Sequence, residues 1–126
     1  MIVLDASVLI AYWGEDDPHA DAAFDILDTD EELLLHPVTL TETLVWPIRA
    51  EAGEEALEDI AQIGVERHEP RRDEPLRAAR LRAQTRLGLP DCFVLAAAIE
   101  HEATLATFDK RLADTARAHG VTVVGV

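Results

Sequence analysis

The sequence predicts an α/β sandwich built on a parallel sheet, and two observations carry that prediction. Short apolar runs without polar alternation recur at residues 1–4, 33–35, 104–108 and 121–124, the pattern of strands covered on both faces. Helix-period segments separate these runs, and strands alternating with helices define the class. Residues 65–68 form a weaker fifth candidate, so the expected sheet has four to five strands. No repeat, low-complexity tract or linker interrupts the 126 residues, a length suited to one domain spanning 1–126.

The helical segments are read in chain order from their apolar spacing. Ala20, Phe24 and Leu27 share one face, as do Leu57, Ile60 and Ala61, and later Leu112 and Ala116. After Thr39 the chain carries Trp46-Pro47. A proline inside a helix costs about 3 kcal/mol and disfavours helical geometry before it, which predicts a break there and a new stretch from Pro47 to about Ala52. Residues 73–87 read as a helix with a core stripe of Leu76, Ala79, Ala83 and Leu87, from which Leu81 projects away. Residues 92–99 are apolar all round, the mark of a helix buried on nearly every side, and Pro90 suits its start.

Composition narrows the function. The chain holds 25 acidic and 11 basic side chains, a formal net charge of −14. Phosphate is repelled by most of such a surface, so generic nucleic-acid binding is excluded unless something local reverses the sign. The single cysteine, Cys92, excludes an internal disulfide framework and a cysteine-based zinc cluster, and reads as a buried core thiol. No apolar stretch approaches the roughly 20 residues that span a bilayer, and the N-terminus lacks the features of a signal peptide. A cytoplasmic location is expected. The five histidines, at 19, 36, 68, 101 and 119, have no paired ligand spacing and read as surface or turn residues.

Four acids stand out by position. Asp5 and Asp109 each end an apolar strand, where an open parallel sheet presents its binding crevice. Asp91 lies at the start of the buried helix, and Glu42 sits in an otherwise uncharged stretch. Acids embedded in core-forming sequence are costly unless paired or bound to a cation. Apart from Lys110 and Arg111 beside Asp109, no basic side chains flank them, which points to a hard divalent ion such as Mg²⁺ or Mn²⁺. Taken singly, Asp5, Asp91 and Asp109 read equally well as helix N-caps. Ser7 sharpens the first motif by adding a second oxygen near the strand end.

These motifs together resemble the PIN-domain nucleases, in particular VapC-type toxins of bacterial and archaeal toxin–antitoxin pairs. The matching stretches are Ile2-Val-Leu-Asp5-Ala-Ser7-Val-Leu-Ile, Thr41-Glu42-Thr-Leu, Leu89-Pro-Asp91-Cys-Phe-Val-Leu-Ala-Ala and Ala106-Thr107-Phe-Asp109-Lys-Arg-Leu. The resemblance implies a three-layer α/β/α fold, a metal site of Asp5, Glu42, Asp91 and Asp109, and supporting hydroxyls on Ser7 and Thr107. It further implies an endoribonuclease that hydrolyses RNA phosphodiester bonds with Mg²⁺ or Mn²⁺, a homodimer, and a cognate antitoxin that blocks the acidic cleft. Some relatives carry a further acid one turn after the Asp91 position, where this chain has Val94 and Leu95, leaving fewer protein ligands for a second ion.

The local charge reversal has a candidate in residues 67–86. That segment carries seven of the eleven basic groups against three acids, a local charge of +4. Arg77 and Arg80 are the expected phosphate contacts for an RNA strand; the alternative is a solvated helix face whose arginines pair with acids. Two other functions compete. A phosphoacceptor receiver domain also clusters acids at strand ends, but it needs an aspartate ending its third strand, and residues 65–70 supply none. A catalytically inactive PIN-like module that binds metal or a partner is the second.

Overall fold

The computed structural model describes residues 1–126. Five strands form one parallel sheet: β1 Ile2–Leu4, β2 Leu33–Leu35, β3 Val65–Arg67, β4 Thr104–Ala106 and β5 Val123–Val124, in the order β3-β2-β1-β4-β5. The registers are continuous, with Ile2 opposite both Leu33 and Thr104, and Leu33 opposite Val65. The chain builds outward from β1 to β2 and β3, then returns to add β4 and β5 on the other side. The sheet therefore has its switch point between β1 and β4, where such folds open a crevice at the strands' carboxyl ends.

Seven helices cover the sheet: α1 Ala6–Trp13, α2 Ala20–Leu27, α3 Pro37–Arg49, α4 Gly53–Ile63, α5 Glu74–Gln84, α6 Leu89–Glu100 and α7 Lys110–Ala118. Alternation along the short strands divides the core. Val3, Leu34 and Leu105 pack with residues of α5, α6 and α7 on one face. Ile2, Leu4, Leu33, Leu35 and Ala106 pack with α1 to α4 on the other. The result is the three-layer α/β/α sandwich. No helix is long and apolar enough to cross a membrane.

As read from its uniform apolarity, α6 is enclosed, with Cys92 and Val94 to Ala98 all buried. Each fully buried Val or Leu side chain contributes about 1.5–3 kcal/mol. The helix starts earlier than expected, at Leu89 after Gly88, so Asp91 lies inside its first turn and does not cap it.

Three expectations about helices need correction. The helix α3 runs unbroken through Pro47 and ends at Arg49, with Ala50 as its C-cap, so no new helical stretch reaches Ala52. Pro47 lies in the last turn of α3, so the one backbone bond it removes, to the Thr43 carbonyl, is lost where the helix is already ending. In α2 and α4 the buried faces are Ala23 with Leu27, and Ala56 with Ile60, while Phe24 and Leu57 are exposed. In α5 the buried face is Glu74, Ala78 and Leu81. Leu76, Ala79 and Ala83 face outward, and Leu81 is core rather than surface. The physical reason is that the buried face of α5 begins with an acid, so hydropathy alone selects the wrong row.

Candidate active site

The strand-end loops after β1 and β4 meet through two hydroxyls. Asp5 is 6% exposed and stands as the residue before α1, yet its side chain caps nothing. Its Oδ2 instead accepts hydrogen bonds from Ser7 Oγ at 2.7 Å and Thr107 Oγ1 at 2.8 Å. The same hydroxyl oxygens accept from the backbone: Ser7 Oγ from Phe108 N–H at 3.0 Å, and Thr107 Oγ1 from Asp109 N–H at 3.0 Å. Each hydroxyl thus relays a loop amide to one carboxylate oxygen, and Oδ1 of Asp5 is left without a protein donor. Sequence reasoning singled out both hydroxyls, but not that they hold two loops to one atom.

Asp109 does cap its helix. Its Oδ1 accepts from Arg111 N–H at 2.9 Å and Leu112 N–H at 3.1 Å, which orients the side chain and leaves Oδ2 free. Asp91 lies half-buried in the first turn of α6. Burial, then the charges of Asp5, Asp109 and Glu42, push its carboxyl up to about 6, against a smaller opposing effect of Arg111. Glu42 lies exposed on α3, and partial desolvation together with the charge of Asp5 raises its carboxyl as well. Asp5, Asp109 and Glu42 thus all act on Asp91, Asp5 also acts on Glu42, and Arg111 is the cation that opposes the repulsion at Asp91. A set of mutually repelling carboxylates with free oxygens and no stoichiometric cationic partner suits a hard divalent ion.

Val94 and Leu95 are fully buried in the hydrophobic core, so α6 contributes Asp91 alone to this cleft. Of the two candidate phosphate-binding arginines, Arg77 is half-buried and its Nε donates to Asp73 Oδ2 at 3.0 Å. That contact holds the Asp73 carboxyl below its usual range. Arg80 is exposed. Both line a small hollow with Leu81, Ala96 and Ile99. Cys92 is buried as expected, and burial pushes its thiol up.

The reading of the histidines as surface or turn residues holds for His19, His101 and His119, which are exposed, and is overturned for two of the five. His36 and His68 are buried, and with Glu74, Glu100 and His101 they form a polar cluster beneath α5 and α6. No spacing along the chain reveals it. The legible signal is register: Leu35 pairs with Arg67, so the residues that follow β2 and β3, His36 and His68, are equivalent positions on adjacent strands.

Comparison with known proteins identifies the family and the fold. The PIN domain family profile matches residues 2–118, and the chain belongs to that family. No curated sequence matches the chain. Among solved structures, it is similar to a toxin–antitoxin complex from Klebsiella pneumoniae, with 22% identity, TM-score 0.74 and coverage of 90% of this chain and 91% of that one. It is also similar to Mycobacterium tuberculosis VapC20, described as a sarcin-ricin loop cleaving toxin, with 14% identity, TM-score 0.75 and coverage of 91% and 95%. A third is VapBC2 of Rickettsia felis bound to a DNA fragment from its promoter, with 16% identity, TM-score 0.72 and coverage of 98% and 97%.

Proposed function

We propose that this chain is a metal-dependent endoribonuclease, the toxin of a toxin–antitoxin pair, acting as a single domain on RNA phosphodiester bonds. The observation that supports the reading is that Asp5, Asp109 and Glu42 all act electrostatically on the Asp91 carboxyl, with Asp5 and Asp109 at the ends of the two strands that flank the sheet's switch point. Membership of the PIN family and the likeness to toxin structures support it.

A bound Mg²⁺ or Mn²⁺ would supply Lewis acidity toward the phosphate and lower the pKa of an attacking water. Asp5 Oδ1, Asp109 Oδ2 and the Asp91 carboxylate would hold that ion, and Ser7 and Thr107 keep Asp5 from turning away. Glu42 completes the ligand set at the exposed rim. Its raised carboxyl also suits it to take a proton from water. The exposed arginines of α5, Arg80 foremost, would supply phosphate contacts to an otherwise acidic surface.

An antitoxin and a second copy of the chain are the proposed protein partners. An open groove of ≈ 730 Å³ between α1, α3 and α4 is lined by Ile10, Trp13 and Trp46 beside Glu15, Glu55 and Asp59. That lining suits a partner segment carrying an apolar anchor next to a basic side chain.

The test is RNA 5′-end sequencing after brief induction of the wild-type chain and Asp5→Asn in parallel in a bacterial host. New ends confined to the wild type are expected, and they would name the substrate. Indistinguishable end profiles from two folded, soluble proteins would reject a nuclease acting through the acidic site on that host's RNA.

A further inference from the structure

The buried histidine–glutamate cluster is separate from the carboxylate cleft. Asp91 opens α6 while Glu100 and His101 close it, nine residues or about 14 Å of helix later. The proton positions in the cluster follow from its hydrogen bonds. His36 Nδ1 accepts from Val38 N–H at 3.0 Å, so its proton is on Nε2, directed at Glu74 Oε1 at 2.5 Å. Coordination through His36 Nε2 would require a proton on Nδ1, facing an N–H donor, and His36 is thereby excluded as a ligand.

The situation of His68 is the reverse. Its side chain is fully buried, and its Nε2 faces Glu74 Oε2 at 3.0 Å and Glu100 Oε2 at 3.3 Å. The Glu74 acceptor fixes the proton on Nε2, and His68 then presents a lone pair on Nδ1. That atom lies 2.9 Å from Nε2 of His101. A carboxylate holding the far N–H of a histidine whose near nitrogen is free is the arrangement that orients metal-binding imidazoles.

We propose that His68 Nδ1, His101 Nε2 and the Glu100 carboxylate form a site for one transition-metal dication of the zinc class, with Glu74 orienting His68. The three ligand groups lie within 4.8 Å of one another. Two imidazole nitrogens and one carboxylate form a donor set that suits zinc, with a fourth position open to water. Tetrahedral coordination with Zn–N of about 2.0–2.1 Å separates two ligand nitrogens by about 3.3 Å. The His68–His101 pair needs a small widening, available because the His101 side chain is 31% exposed. Charge favours the ion. Glu74 and Glu100 are both nearly buried, and the permanent cation beside them is Arg71, an exposed side chain 3.6 Å from Glu100 Oε1. Arg71 has a second partner in Asp73 at 3.7 Å and is able to leave Glu100 to the metal.

The experiment is a Zn²⁺ titration of the full chain followed by imidazole ¹⁵N NMR, with excess Mg²⁺ present to occupy the four-acid cleft. One equivalent of Zn²⁺ is expected to shift Nδ1 of His68 and Nε2 of His101 while leaving His19 and His119 unmoved. Affinity should fall roughly tenfold or more in His101→Ala and by about 10–100-fold in Glu74→Gln, and stay unchanged in Asp5→Asn. His101 is exposed, so its removal leaves the fold intact. The proposal is overturned if the two nitrogens do not move in a large excess of Zn²⁺. It is equally overturned if Asp5→Asn abolishes binding while His101→Ala retains it. Either result assigns the cluster to proton sharing between His68 and His101.

Discussion

Asp91 combines half-burial with three acidic neighbours, and its titration should be measurable. In the metal-free protein the folded chain holds a proton on Asp91 up to about pH 6, whereas the unfolded chain releases it near 3.8. The stability associated with that proton is complete below the lower value and lost as pH rises through about 6. Asp91→Asn should therefore stabilise the metal-free protein at pH 7 by on the order of 1–2 kcal/mol once solvent screening of a half-exposed group is included, read as a higher Tm. Proton and metal compete for the same oxygens, so Mn²⁺ affinity should weaken by about tenfold per pH unit below 6. A flat affinity between pH 5 and pH 7 would remove Asp91 from the ligand set. Asp5 has the opposite character, because two hydroxyl donors hold its position whether or not a cation is bound.

The helix α5 separates what the sequence makes legible from what it does not. Four of the five strands and the enclosed α6 follow from apolar runs, because hydropathy reports burial directly; β3, Val65-Glu66-Arg67, is a largely exposed edge strand and so gives only a weak signal. The four acids of the proposed site stand out in the sequence for a related reason, as charges embedded in apolar sequence. The orientation of α5 was not, because its buried face starts at Glu74, whose carboxylate is bonded to two buried histidines. Those partners follow two adjacent strands, β2 and β3, and are 38 and 6 residues from Glu74 along the chain, so no helical period links them. The consequence is measurable by chemical denaturation: Leu81→Ala should cost about 2–5 kcal/mol, and Leu76→Ala should stay within about 0.5 kcal/mol. Equal losses would restore the hydropathy-based face. On the outer face of α5, replacing Arg77 and Arg80 by Ala should weaken RNA binding for all sequences and reduce its salt slope by about 2. An unchanged slope would leave those arginines to solvation and to the Arg77–Asp73 pair.

At the scale of the whole molecule, the acidic cleft is tied to the edge of the sheet. Thr107 N–H donates to Val124 O at 3.0 Å, and Gly125 follows with φ of +108°. A Cβ at Gly125 would lie 2.3 Å from the Thr107 carbonyl oxygen, against backbone that has no flexible end to give way. Gly125→Ala should therefore displace Thr107, loosen Asp5 and lower both Tm and nuclease activity, although residue 125 touches none of the four acids. Thermal melts paired with an RNA cleavage assay would check this, and full activity at an unchanged Tm would contradict it.

The pairing of β1 with β4, Ile2 against Thr104, also sets the order in which the cleft is completed. Asp5 follows the first strand of the sheet, but the Thr107 hydroxyl that helps secure it comes 102 residues later. Contacts of such sequence separation form late in folding. A chain that stops short of Thr107 and Asp109 has no assembled centre, so the cleft exists only once both halves of the sheet have paired.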